Sequence, residues 1–397
     1  MYVTRPLSQL LKSPESVSAA VDGPNSGFLV IQDEESLRYS FFGLFKNHSL
    51  KQLPFPQDKE LIVQYTTTTT TNTTTSDLIG QSTQSSHDPI FLIPSLNRPL
   101  SSNRYYAIVP HGKRIGEALT CSREEDKVSC CFCRWVTDVK PRPLDPRNVY
   151  QQFHIAPYNA FGSSKGEFLA KSVVSDGFPP DFLRRKGWTI ATKTPNTFTL
   201  GEARGLDARL RASLLELDSS RVVGKWYTPF VFVKDGSLRD QVKQSMYYEV
   251  ILLQRWEPIF KIGRDPNNKG INSVVIDATV EKEEVFVGGI GKAVWNGKSA
   301  VDGVVWFRVE GSRGEGVGLR VELVERMKWE EERGGWMGGE EKQVKIHKVE
   351  ELGGGVGDWN EFGCYVLVER FNVRRMDGSV VISCDFKHSH KLKTKWA

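Results

Sequence analysis

The sequence predicts an α+β protein dominated by antiparallel sheet, built as two β-rich halves with a few short helices. Three observations carry this. Apolar segments are short, rich in β-branched and aromatic residues, and alternate with their neighbours, as in Met246 to Leu253. Breakers such as Pro141-Arg142-Pro143-Leu144-Asp145-Pro146 interrupt them, because proline lacks the N–H that a ladder requires. Near the C-terminus, Asp377-Gly378 joins two β-rich runs, and this dipeptide suits a tight two-residue turn.

Residues 1–220 form the first half. Residues 1–26 read as loop, closing with Gly23-Pro24-Asn25-Ser26-Gly27, and Phe28 to Ile31 reads as a strand. Thr66 to His87 is threonine-rich with little to bury, which predicts a disordered loop. Further strands are expected at Ile90 to Ile93, Arg104 to Val109, Ile115 to Cys121 and Cys130 to Thr137. Pro179 to Gly187 reads as a short helix, with prolines in its first turn and glycine after its last residue. Leu206, Leu210, Leu214 and Leu217 recur at helical spacing and predict a helix over 203–217.

Residues 221–397 form the second half, which reads as β-sandwich-like. Trp226 to Val233, Met246 to Leu253 and Val304 to Val309 are strand candidates. Leu319, Val321, Leu323, Met327 and Trp329 alternate with charged neighbours and are read as one more amphipathic strand. Gly334 to Gly357 holds eight glycines and many charges, and is expected to be a mobile insertion. A turn at Asp377-Gly378 pairs Met376 with Ser379 and, further out, Arg370 with Asp385. Phe371, Val373, Ile382, Cys384 and Phe386 then share an apolar face, and a slip of one residue would bury Arg370 and Asp385.

Composition excludes several classes. The net charge of +5 over 397 residues falls short of a dedicated nucleic-acid binder, so no sequence-specific nucleic acid is expected. No run approaches the roughly 20 apolar residues that a spanning helix needs, so no transmembrane segment is expected. The first twenty residues lack the apolar stretch of a signal peptide, which points to the cytoplasm or nucleus and to reduced thiols.

Cys130-Cys131-Phe132-Cys133 is the most chemical phrase. A hairpin centred on Glu125-Asp126 would set Cys121 opposite Cys130 on one face and turn Cys131 and Cys133 to the other. A structural zinc needs four ligands converging on one point, so this alternation argues against a metal held by Cys121, Cys130, Cys131 and Cys133. The cysteines read instead as small buried hydrophobes.

Other motifs fail on spacing. Gly291 to Ser299 puts five residues between its glycines where a phosphate-binding loop has four, and no helix follows. In the last hairpin, His388 falls opposite Leu367 and His390 opposite Tyr365, with Glu369 diagonal to His388 on the same face. A carboxylate that holds an imidazole is a unit of acid–base and metal sites, so Glu369, His388 and His390 are the candidate catalytic residues. No cofactor is indicated.

Several phrases are distinctive: GPNSG (23–27), LPFPQ (53–57), LSSNRYY (100–106), CCFC (130–133) and YQQF (150–153). So are DGFPPDFLRRKGW (176–188), VVGKWYTPFVFVKDG (222–236), ERMKWEEERGGW (325–336), FGCYVLVERF (362–371) and DFKHSHKLKTKW (385–396). On these phrases the chain resembles the land-plant family catalogued as domain of unknown function 1262. The resemblance implies a plant intracellular protein, with stress and defence responses as context. It brings no reaction and no catalytic residues.

With no complete catalytic constellation, the expected function is that of a non-catalytic binding or scaffold protein acting on an unknown protein or small ligand. One alternative is a membrane-active β-rich protein that contacts lipid peripherally. Another is a hydrolase or metal-dependent enzyme using Glu369, His388 and His390.

Overall fold

Two mainly antiparallel sheets of unequal size organise the chain in a computed structural model, as expected for a β-dominated α+β protein. The structure describes residues 1–40, 45–71, 80–130, 133–159, 166–193, 199–213, 215–264, 273–294, 300–309, 311, 316–352 and 359–397.

The smaller sheet has seven strands. In spatial order they are Phe168–Ser172, Gln152–Pro157, Arg104–Ile108, Gly80–Pro94, Glu60–Thr71, Thr189–Lys193 and Ser49–Leu50. One face covers a core of Phe55, Leu61, Tyr105, Phe153, Phe168 and Trp188. The expected disordered loop at 66–87 is corrected in its described part. Thr66 to Thr71 pair with Gly80 to Ser85, continuing the ladder that begins at Leu61 and Ile90. Threonine is β-branched, and a long hairpin satisfies its backbone without needing a core.

The larger sheet is centred on three long neighbours, Tyr247–Gly263, Glu361–Arg374 and Val380–Trp396. Beyond Tyr247–Gly263 come Ser220–Pro229, Tyr2–Pro6 and Gly27–Ile31, the last two paired in parallel. Beyond Val380–Trp396 lie Glu283–Val287, Gly291–Val294, Val304–Val309, Val317–Arg320 and Val233–Lys234. The first strand pairs Tyr2 with Tyr227, so residues on both sides of position 220 build one sheet. The core against it gathers Trp226, Phe230, Leu252, Leu319, Met327, Phe371 and Phe386.

The last hairpin keeps the expected register from Val373–Ile382 through Arg370–Asp385 to Leu367–His388. A bulge after Leu367 then pairs Val366 with Leu392, and a shift near the turn pairs Arg374 with Val380. Asp385 is buried and takes hydrogen bonds from Arg370 on the paired strand and from Arg255 on the strand beyond it.

Three further expectations are corrected. Val321–Arg333 is a helix, preceded only by the short strand Val317–Arg320. It buries Leu323, Arg326, Met327, Glu330 and Glu331 at spacings of three and four. The strand-like alternation breaks at Glu325, and Glu, Arg, Lys and Met favour helix. Within 334–357, Gln343–Glu351 is a strand that pairs residue for residue with Ser273–Glu281. The expected helix over 203–217 shrinks to Ala208–Ala212 after a short strand at Gly205–Leu206, and Leu214 lies outside the described residues. The expected helix at Pro179 to Gly187 forms at Asp181–Arg184.

Candidate functional site

The site grows from one face of the larger sheet. Rows run across its three long strands: Leu252, Phe371 and Cys384, then Gln254, Glu369 and Phe386. Next come Trp256, Leu367 and His388. Side-chain alternation therefore sets Glu369 within an apolar surface. Two helices supply the facing groups, Glu330 and Glu331 from Val321–Arg333 and Arg211 from Ala208–Ala212. The shorter helix is held by Asp207, whose side chain accepts from the Leu210 N–H at 2.9 Å. Gly334 ends the longer helix where any side chain would strike the Arg211 guanidinium.

Glu369, Glu331 and His388 have no exposed surface. Arg211 donates from Nε to both Glu369 oxygens at 3.0 and 3.1 Å, with a further bond from Nη2. Gln254 donates to Glu369 Oε1 at 2.7 Å and to the Arg211 carbonyl at 3.0 Å. His388 Nε2 lies 3.1 Å from Glu369 Oε2 and 3.0 Å from Glu331 Oε2. Arg211 also donates to the Glu330 carbonyl at 2.9 Å, and Arg326 holds the Glu330 carboxylate at 2.8 Å.

Three carboxyl groups thus face two guanidinium groups, and the network is neutral only if it keeps one proton. Burial pushes the Glu331 carboxyl well above its usual range, and the Glu369 charge adds to this. Burial alone would raise Glu369 too, but hydrogen bonds from His388 and Arg211 outweigh it and hold that carboxyl low. Burial also lowers His388, against the pull of Glu369. Glu331 is therefore the protonated acid, Glu369 the carboxylate and His388 the neutral imidazole that donates to it. Among the described residues His388 Nδ1 and Glu331 Oε1 lack hydrogen-bond partners.

Glu331, Glu369 and His388 are the group among the described residues whose ligand atoms, all within 4.8 Å of one another, could hold a metal ion. The donor set fits poorly. Arg211 already occupies both Glu369 oxygens and stands 3.4 Å from Glu331 Oε1. A divalent cation would meet a buried positive charge there. The arrangement is a sealed ion-pair and proton-holding network.

The structure brings together two of the three candidate residues. Glu369 and His388 meet; His390 falls in the bulge that follows and is exposed, its ring 5.9 Å from that of His388. Glu331 is missed by a strand reading of its segment, and Arg211 belongs to a distant part of the chain with no local signal.

The cysteine hairpin is corrected. Lys127–Cys130 pairs with Cys133–Val136, so Cys130 faces Cys133 rather than Cys121. The side chains of Cys130 and Cys133 and all of Cys131 lie outside the described residues. Ile115 to Cys121 forms no regular strand; Ala118 bridges Ile108 and Arg142. Cys121 is a buried free thiol whose amide donates to the Tyr150 carbonyl, and burial pushes its pKa up to about 11. The glycine-rich phrase at 291–299 begins as the strand Gly291–Val294, and its remainder lies outside the described residues.

No curated protein matches the chain. Among solved structures, one titled "Crystal structure of Cry35Ab1" is similar, at 11% identity and a TM-score of 0.44. The alignment covers 86% of this chain and 90% of that one. Residues 22–132 match the family described as "Protein of unknown function (DUF1262)", and through that region the chain carries the DUF1262 family signature.

Proposed function

We propose that this chain is a non-catalytic binding or scaffold protein of the plant cytosol or nucleus, acting in stress or defence responses. One observation carries the non-catalytic part. Glu369, His388 and Glu331 form a carboxylate–imidazole cluster with no exposed surface, and Arg211 already takes both oxygens of Glu369. An acid or base must come within hydrogen-bond reach of the proton it moves. The plant and stress parts rest on the resemblance read from the long phrases of the sequence. The test is a turnover screen of purified protein against ester, phosphoester and glycoside substrates. Turnover that disappears in Glu369→Gln, with folding intact, overturns the reading.

A second reading is that of a membrane-active β protein. What favours it is the ribbon of Ser273–Glu281 and Gln343–Glu351, a sheet of its own. Val274, Ile276, Val280 and Ile346 dock on Phe362 and Trp359, while Val275 and Val349 pair on the outer side, each 53% exposed. Released from its seat, the ribbon would present apolar residues on both faces. No helix among the described residues is long and apolar enough to cross a membrane, which leaves crossing by strands untouched. Flotation with liposomes and dye release test this reading, and protein that stays at the bottom of the gradient removes it.

A further inference from the structure

A cleft of about 520 Å³ opens where the smaller sheet meets the long helix and the N-terminal loop. Its lining includes Arg98, Arg104 and Arg147 against one carboxylate, Glu322. That carboxylate is already engaged, 3.6 Å from Arg147 and 3.4 Å from Arg320. Arg98 and Arg104 have no carboxylate partner among the described residues.

The sheet register sharpens the imbalance. Arg104 lies directly opposite His154, and His154 lies opposite Lys171 on the next strand. Three basic side chains therefore stand in one row across three strands, beside the Tyr106–Gln152 pair that also lines the cleft. Arg104 and Lys171 thus flank His154 on one face, and like charges gathered on a sheet face disfavour one another. The pKa of His154 is lowered first by burial and then by the neighbouring Lys171 and Arg104 charges. A bound anion would turn this repulsion into attraction.

The cleft lies within the usual range for small-molecule sites. Val149, 43% exposed, gives it an apolar wall. A guanidinium fork matches phosphate oxygens, and a phosphomonoester carries about −1.5 to −2 charges at neutral pH, enough for more than one cation. We propose that this cleft binds a phosphomonoester, with its phosphoryl group held by Arg98 and Arg104 and its organic body against Val149. The group can come from a free metabolite or from a lipid headgroup. The inference names a ligand class for the binding role above and rests on it.

The test uses the full chain with two probes, glycerol 3-phosphate in calorimetry and phosphatidylcholine vesicles with or without phosphatidic acid in sedimentation. Binding to either phosphate probe is expected, and not to phosphatidylcholine alone. The first probe alone identifies a metabolite source and the second a lipid source. Arg98→Gln and Arg104→Gln should each weaken binding about tenfold, as for loss of a charged hydrogen bond. Lys395→Gln, on the far end of the last hairpin, should not change it. Both arginines are at the surface, so matching unfolding midpoints will confirm that the variants fold. No binding of either probe at millimolar concentration overturns the inference, as does binding by both arginine variants as tight as that of the unchanged chain. Substrate turnover in the screen above would overturn the non-catalytic reading alone, so the two failures are distinguishable.

Discussion

Arg211 and Glu369 are 158 residues apart in the chain and meet in the interior, Nε standing 3.0 Å from one carboxylate oxygen and 3.1 Å from the other. This pair ties a short helix to the middle of the larger sheet. Around it, Gln254, His388 and Glu331 complete a buried network. Its worth lies less in net stability than in the cost of breaking it.

Removing one partner should therefore be far worse than removing both. Glu369→Ala leaves a buried guanidinium uncompensated and should cost about 3–5 kcal/mol. Arg211→Met combined with Glu369→Leu should recover most of that loss. Urea unfolding of the two single variants and the double variant measures it, and additive losses would refute the coupling.

The proton in the network gives stability a pH dependence with two limbs. Glu331 keeps its proton in the fold while the unfolded chain releases it above the ordinary value near 4.5. The unfolded state then binds fewer protons, so stability falls as pH rises through that window. Glu369 acts oppositely: its folded pKa is depressed, so its contribution is complete above 4.5 and is lost as pH falls. His388, lowered from 6.5, likewise loses its contribution as pH falls below that value. Glu331→Gln, which mimics the neutral acid, should flatten the alkaline limb and leave the acid limb. Melting temperatures between about pH 3 and 9 decide it.

Gly23 sits at a φ of 74°, and a side chain there would collide with Arg326 and Trp329. Its neighbour Asp22 accepts from Arg326 through its carbonyl at 2.8 Å, so the N-terminal loop rests on the long helix. Gly23→Ala combines backbone strain with a displaced buried arginine and should cost about 1–3 kcal/mol. Thermal unfolding checks it; an unchanged midpoint would show that the loop relaxes freely.

Chelation should do nothing. With Arg211 on both oxygens of Glu369, no divalent ion holds the cluster together, so ~1 mM EDTA should leave the unfolding midpoint where it was. A drop, together with stoichiometric metal in the purified protein, would reverse that conclusion.

Much of the fold was legible where the signal is local. The hairpin register from Val373 to Leu367 follows from side-chain parity and one turn dipeptide. The same parity sets Glu369 beside His388. Parity failed where the ladder slips, and the bulge after Leu367 removed His390 from the site. The strand reading of Leu319 to Trp329 failed because a short window fits periods of two and of three to four, and only packing against the sheet settles which. The threonine run looked like a loop because composition reports what a segment can bury, not which strand satisfies its backbone.

By itself, the sequence determined the β-dominated architecture, the last hairpin and the meeting of Glu369 with His388. These depend on alternation and turn chemistry between near neighbours. Only the tertiary structure brought Arg211 and Glu331 to that pair, and only it set Arg104, His154 and Lys171 in one row beside a cleft. Those contacts join segments separated by long stretches of chain, and no periodicity in a sequence encodes which distant surfaces will pack together.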